Sequence, residues 1–110
     1  MRILLDECLP KDLAGELFGH DVTTVPQAGW ASVSNGKLLR RIAVSGAFDL
    51  FLTVDKHLPQ QNKTSALPFA IVVLRAKSNR LIHVLPFAPV ILRHLDEFQP
   101  GQVHVLKPPE

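Results

Sequence analysis

Three short, continuous apolar runs are the feature that most constrains how this chain folds. They cover residues 3–5, 50–54 and 70–74, and each is nearly free of the polar residues that would alternate along a half-exposed strand. Runs of this kind are typical of strands buried on both faces, as in a parallel sheet. Stretches with helical spacing lie between the runs, so the sequence predicts alternating strands and helices.

The segments between these runs predict the remaining elements. Leu13, Leu17 and Phe18 are spaced as one apolar helical face, in a helix that begins after Pro10 and ends at Gly19. The residues 21–25 are rich in β-branched side chains and predict a second strand. A second helix is predicted before Gly46 from an apolar face that consists of Leu38, Leu39, Ile42 and Ala43.

The last third of the chain predicts two more helical segments and a final strand. Ser78 is a candidate cap for a helical stretch that Pro86 interrupts. A clearer helix is predicted over 89–98, and residues 103–106 are expected to form an edge strand. The fold class is therefore α/β, with three layers and a central, mostly parallel sheet flanked by helices. At 110 residues the chain is expected to form one domain, 1–110.

Composition limits the cellular compartment and the class of binding partner that we expect for the protein. Twelve Lys and Arg against ten Asp and Glu give a formal charge of +2, which permits an anionic partner without requiring one. Cys8 is the single cysteine, so no disulfide forms within the chain. No long apolar segment suggests a signal peptide or a membrane span. We expect a cytoplasmic protein with no membrane partner.

Carboxylates follow two of the predicted strands. Asp6 and Glu7 come after the first strand, and Asp55 comes after the third. If these strands are neighbours, the carboxylates lie at one edge of the sheet, where open α/β folds bind ligands. Paired carboxylates are hard oxygen ligands suited to Mg²⁺ or Mn²⁺. The alternative is that Asp6 and Asp55 only cap a helix and a turn, as Asp often does.

Basic residues are expected near the same edge. They follow the third and fourth strands and comprise Lys56, His57, Arg75, Lys77 and Arg80. Cations beside a carboxylate site are suited to a phosphate backbone, although a solvated surface also carries such residues. The five histidines lack close metal-ligand spacing, and no Gly-rich phosphate loop is present. The sequence therefore favours neither a zinc site nor a nucleotide cofactor.

Several segments of the chain together match a known pattern. The most specific are Leu5-Asp6-Glu7-Cys8-Leu9-Pro10 and Thr53-Val54-Asp55-Lys56, with Gly19-His20-Asp21-Val22 and Asn35-Gly36-Lys37-Leu38-Leu39 in support. These segments resemble the small PIN-like proteins of unknown function related to bacterial VapC-type toxins. The resemblance implies a PIN-like fold and a Mg²⁺- or Mn²⁺-dependent ribonuclease. It also implies a toxin that acts beside an antitoxin and a homodimer as the oligomeric state.

The resemblance also implies roles for single residues. Asp6 corresponds to the first-strand acid and Asp55 to the third-strand acid, while Glu7 belongs to the opening motif. PIN domains usually carry another acid where this chain has Asn35, whose amide oxygen can bind a metal without supplying charge. A further acid often follows the third-strand Asp, where Lys56 stands here. A catalytically weak or inactive PIN-like domain that binds RNA or another partner is therefore the alternative.

A phosphoacceptor receiver domain is the third hypothesis. Such domains use paired acids, a third-strand Asp and a late Lys-Pro, which Asp6-Glu7, Asp55 and Lys107-Pro108 match. Arg75 stands where a hydroxyl residue is expected, and no final helix is predicted after Lys107. The Thr53-Val54-Asp55-Lys56 segment also suits the PIN-like pattern better.

Overall fold

Five parallel strands form the centre of the protein in a computed structural model, which describes residues 1–109. The strands are β1 (Arg2–Leu5), β2 (Asp21–Thr24), β3 (Leu50–Thr53), β4 (Ala70–Leu74) and β5 (Val103–Leu106). They lie in the order β2-β1-β3-β4-β5, and every neighbouring pair is parallel. The prediction that the first and third strands are neighbours is confirmed.

Helical segments cover both faces of this sheet and complete the predicted three layers. The α-helices are α1 (Asn35–Ser45), α2 (Leu58–Gln61), α3 (Leu81–Val84) and α4 (Phe87–His94), with 3₁₀ helices at Lys11–Glu16 and Leu95–Glu97. The first 3₁₀ helix, α3 and α4 pack on one face, and α1 and α2 pack on the other. None of the described helices is long and apolar enough to cross a membrane.

The two faces of the sheet bury separate apolar clusters, as the period of a strand requires. In β1, Ile3 and Leu5 face the cluster that contains α4, whereas Leu4 faces the cluster that contains α1. Phe51 in β3 is on the same side as Leu4 and is fully buried. This two-sided burial explains why the strands have continuous apolar sequences.

The first predicted helix is a 3₁₀ helix, and its predicted face is partly wrong. Leu13 and Leu17 are buried as expected, but Phe18 is 70% exposed. The helix ends at Glu16, and Leu17 leaves the helical region with φ of −97° and ψ of 67°. Because the chain turns at this point, Phe18 does not continue the apolar face. Gly15 within the segment also lowers its α-helical propensity.

The helices near the C-terminal end begin at other residues than the sequence suggests. Ser78 does not cap α3, which begins at Leu81; its hydroxyl accepts a hydrogen bond from the backbone N–H of Arg80. The later helix begins at Phe87 rather than Pro89. Pro89 is accommodated because the first turn of a helix does not use its N–H groups.

Candidate active site

The carboxyl ends of β1 and β3 bring Asp6 and Asp55 to one edge of the sheet. Leu5 is paired with Leu52 in the parallel register, Asp6 directly follows β1, and Asp55 lies two residues after the end of β3. The strand order reverses between β1 and β3, since the chain passes from β1 to β2 on one side and returns to β3 on the other. This is the position at which doubly wound sheets bind ligands.

Asp6 is a buried carboxylate that is fixed by two donors. Only 7% of the surface of Asp6 is exposed to solvent. The Thr53 hydroxyl donates to Oδ2 over 2.7 Å, and the backbone N–H of Glu7 donates to Oδ1 over 2.8 Å. Burial raises the pKa of Asp6 despite these donors. Among the described residues it forms no ion pair, so a cation at this position would stabilise its charged form.

Thr53 connects the two halves of the site. It is fully buried at the end of β3, and its Oγ1 also accepts the backbone N–H of Asp55 over 3.0 Å. Thr53 was not among the site residues predicted from the sequence. The available signal was a hydroxyl residue at the end of an otherwise apolar strand, next to a carboxylate.

Asp55 is held by groups from two elements. The backbone N–H of His57 donates to Oδ1 over 2.9 Å, and the amide nitrogen of Asn35 lies 3.3 Å from Oδ2. Asn35 is the first residue of α1, so this contact joins the start of α1 to the end of β3. In this arrangement Asn35 orients Asp55 by donating a hydrogen bond. The structure thus brings Asp6, Thr53, Asp55 and Asn35 into one hydrogen-bonded network.

Glu7 is exposed, and its carboxylate contacts a loop instead of joining this network. Its two carboxylate oxygens accept the backbone N–H of Ser32 over 3.1 and 3.2 Å. Ser32 has a φ of +63°, a left-handed conformation that is uncommon for residues other than glycine. Glu7 therefore fastens the loop that precedes α1. Sequence reasoning did not identify Ser32, because its contact with Glu7 depends on the path of that loop.

The thiol of Cys8 adjoins the network through a weak sulfur hydrogen bond with Thr53. Its Sγ is 3.8 Å from Oγ1 of Thr53. Burial raises the pKa of Cys8, and the nearby negative charge of Asp6 adds to the effect. The group is therefore a thiol near neutral pH, which argues against a nucleophilic role.

The five predicted basic residues are all exposed, but only two share a cavity. Lys56 and Arg75 line an open cleft of about 490 Å³. His57 precedes α2, and its backbone rather than its ring contacts Asp55. Lys77 and Arg80 lie in the turn between β4 and α3 and do not line this cleft. Asp55 does not line this cleft itself, and the connection between them is Lys56, the residue that follows Asp55 in the chain.

The oxygen ligands at this edge fit a hard divalent cation that retains other ligands. Within residues 1–109, no three His, Cys, Asp or Glu side chains converge as a metal-binding group. Asp6 and Asp55 nevertheless supply two carboxylates. Proteins commonly hold Mg²⁺ through one or two carboxylates, with water and substrate phosphate completing the coordination. The residues present therefore fit weak binding of Mg²⁺ or Mn²⁺.

Comparisons with known proteins add no assignment to this geometry. No family profile matches the chain, and neither a curated protein nor a solved structure matches it. The resemblance to PIN-like proteins therefore stays a prediction from the sequence, and the side chains at the carboxyl edge of the sheet are the basis for proposing a function.

Proposed function

We propose that this protein is a metal-dependent endoribonuclease of PIN-like type. The observation that carries the proposal is the network in which Thr53 links Asp6 to Asp55 and Asn35 holds Asp55. The network lies at the strand-order reversal, where doubly wound folds bind substrates. Its two carboxylates have the chemistry needed to hold a divalent cation next to a phosphodiester.

Each residue of the network has a distinct role in this proposal. Asp6 and Asp55 hold Mg²⁺ or Mn²⁺, which when bound polarises the phosphodiester and lowers the pKa of water. Thr53 fixes the direction of the Asp6 carboxylate and Asn35 fixes that of Asp55. Because these groups are held before substrate arrives, little reorganisation is needed during the reaction.

Electrostatics favour the same combination of cation and phosphate. The ionised form of Asp6 is disfavoured by burial, so binding a cation removes part of an existing cost. Lys56 and Arg75 supply positive charge on the flank next to Asp55, where they attract the RNA backbone. RNA binding thus depends on different side chains from metal binding.

A cleavage assay on purified protein tests this function. Single-stranded RNA is incubated with Mn²⁺, Mg²⁺ or a chelator, and cleavage by wild type is compared with Asp6→Asn and Asp55→Asn. Asp21→Asn is the matched control, because Asp21 is an exposed carboxylate at the start of β2. We expect slow, metal-dependent cleavage that both site variants abolish and the control retains. Activity that persists in Asp6→Asn or in the chelator would contradict the proposal.

A binding domain without catalysis is the second candidate, and Asn35 is the observation that favours it. Asn35 supplies no charge at the start of α1, which leaves two carboxylates as the anionic ligands of the site. The same RNA samples distinguish the candidates. If wild type binds the RNA but leaves it intact under all metal conditions, the protein is a binding domain.

The receiver hypothesis gains support from the strand order. The order β2-β1-β3-β4-β5 is that of flavodoxin-like sheets, and Asp55 follows the third strand as a phosphoacceptor would. Arg75 after β4, at the position where a hydroxyl residue is expected, counts against it. Incubation with acetyl phosphate and Mg²⁺, followed by mass spectrometry, tests for transfer of one phosphoryl group to Asp55.

The protein partners implied by the resemblance stay predictions. An antitoxin is sought among the products of neighbouring reading frames by co-expression, and a homodimer by light scattering. No contact described above depends on either partner.

A further inference from the structure

The cleft beside Asp55 combines a cationic rim with an apolar floor. Lys56 and Arg75 form the rim, and Val73, Val103 and Val105 contribute to the floor. Gln60 adds an amide that can both donate and accept hydrogen bonds. The volume of about 490 Å³ lies within the range of roughly 300–1,000 Å³ that is usual for small-ligand sites.

The cleft is open because this face of the sheet has little helical cover near β5. The helix α2 has only four residues, and residues 107–109 form no helix after β5. Val105 is consequently 54% exposed, although its strand neighbour Val73 is buried. Flat aliphatic surface of this kind can accept the face of a planar ring.

The charge of the cleft is suited to an anion. None of the described residues that line it is acidic. Neither Lys56 nor Arg75 forms an ion pair with another described residue. Both cations are therefore available to a phosphate; Arg75 directly follows β4, and Lys56 lies three residues after the end of β3.

We infer that the cleft is a subsite for one nucleotide of single-stranded RNA, an inference that rests on the proposed ribonuclease function. Lys56 and Arg75 bind the phosphate, the base lies against the valine floor, and Gln60 contacts the edge of the base. Because Lys56 adjoins Asp55, an adjacent phosphodiester of the same strand reaches the carboxylates. The subsite thus selects the nucleotide next to the cleaved bond.

Binding in the presence of a chelator tests the subsite without any catalysis. The affinity of a short fluorescent oligoribonucleotide is measured for wild type, Arg75→Gln and Lys56→Gln. Arg93→Gln is the control, since it removes the same charge from α4 on the opposite face. We expect about fivefold weaker binding for each cleft variant and little change for the control. The affinity of each cleft variant should also depend less on salt: the negative slope of log affinity against log salt becomes shallower by about 0.7.

A third variant and a set of small ligands test the apolar floor. Val105→Glu places a negative charge on an exposed position, where the fold tolerates it, and we expect it to abolish binding of the oligonucleotide. Nucleoside monophosphates should bind more tightly than ribose 5-phosphate or inorganic phosphate, because only they carry a base. Circular dichroism verifies that each variant is folded.

Several outcomes would overturn the inference. Equal losses in Arg75→Gln and Arg93→Gln would mean that only net charge matters. Equal affinity for ribose 5-phosphate and nucleoside monophosphates would mean that no base is recognised. Binding of free nucleotides without binding of the oligonucleotide would exclude an RNA subsite. These results are independent of cleavage, because every affinity is measured in the chelator, so the subsite can be established even if the ribonuclease proposal fails.

Discussion

The hydroxyl of Thr53 donates a hydrogen bond of 2.7 Å to Oδ2 of Asp6. Both residues are buried, so neither group can exchange this partner for bulk water. Thr53 also accepts the backbone N–H of Asp55. One side chain therefore satisfies polar groups that follow two different strands. Substitution of Thr53 thus tests both halves of the site at once.

Replacing Thr53 with valine should destabilise the protein. The variant Thr53→Val keeps the shape of the side chain but leaves Oδ2 of Asp6 without its donor and the N–H of Asp55 without its acceptor. We expect a loss of about 1–3 kcal/mol in the free energy of unfolding, measured with urea. Thr53→Ser retains the hydroxyl and is the control. A valine variant as stable as the serine variant would show that the hydroxyl contributes nothing.

The raised pKa of Asp6 predicts a specific dependence of stability on pH. Its folded-state pKa lies above the ordinary value of 3.8, so the protonated form is favoured by folding. The contribution of Asp6 to stability is therefore complete below that value and is lost as the pH rises through the folded-state pKa. Asp6→Asn does not titrate. We expect wild type to lose stability relative to Asp6→Asn as the pH increases from 3 toward neutrality.

Urea unfolding of both proteins across this pH range provides the measurement. Asp21→Asn is the control, because it removes an exposed carboxylate outside the site and shows the effect of losing a carboxylate alone. A gain in the relative stability of wild type with rising pH would contradict the direction of the Asp6 shift.

Divalent cations should stabilise the folded protein through the same carboxylates. Mn²⁺ at ten times its dissociation constant contributes about 1.4 kcal/mol, which raises Tm by roughly 5 °C for a chain of this size. Asp6→Asn and Asp55→Asn should each abolish the shift, and a chelator should reverse it in wild type. An unchanged shift in both variants would exclude these residues as ligands.

An added carboxylate at position 35 should lower the stability of the metal-free protein and raise its affinity for metal. The amide nitrogen of Asn35 lies 3.3 Å from Asp55, so Asn35→Asp replaces a donor with a like charge. Without metal we expect a loss of stability of roughly 1 kcal/mol or less. With Mn²⁺ we expect tighter binding by calorimetry and faster cleavage of RNA. Asn35→Ala removes the hydrogen bond without adding charge and should bind Mn²⁺ no better than wild type.

The contact between Glu7 and Ser32 predicts that a substitution at Ser32 partly restores the stability lost in Glu7→Ala. Glu7→Ala removes the acceptors of the Ser32 N–H and should lower Tm. A left-handed conformation costs a residue with a side chain about 1 kcal/mol, whereas glycine adopts it freely. Ser32→Gly should therefore recover part of the loss in the Glu7→Ala background. A further decrease in Tm in the double variant would show that Ser32 is not strained.

The parts of the fold that follow from burial were predictable from the sequence. Continuous apolar runs indicated strands covered on both faces, and parallel strands fixed which of their ends lie at one edge. The proximity of Asp6 and Asp55 followed from these two properties together with the expectation that the first and third strands are neighbours. Phe18 was not predictable in this way, because its exposure results from a turn after Leu17 that local spacing does not reveal.

Details of the site depend on contacts between distant segments. Glu7 adjoins Asp6 in the sequence, yet its partner is Ser32, and only the course of the intervening chain determines this contact. Lys56 and Arg75 share a cleft, whereas Lys77 does not, although all three follow strands. Charge and strand position were sufficient to nominate these residues, but only side-chain placement separates them.

The wholly parallel sheet also determines when during folding the site comes into existence. Adjacent parallel strands cannot be joined by a tight hairpin, so each pair forms only after a long crossover has been closed. Asp6 and Thr53 are separated by 47 positions, and their contact requires β1 and β3 to associate across β2 and α1. Loop closure of this kind delays folding. A nascent chain therefore carries no assembled carboxylate pair until β3 has emerged from the ribosome and docked.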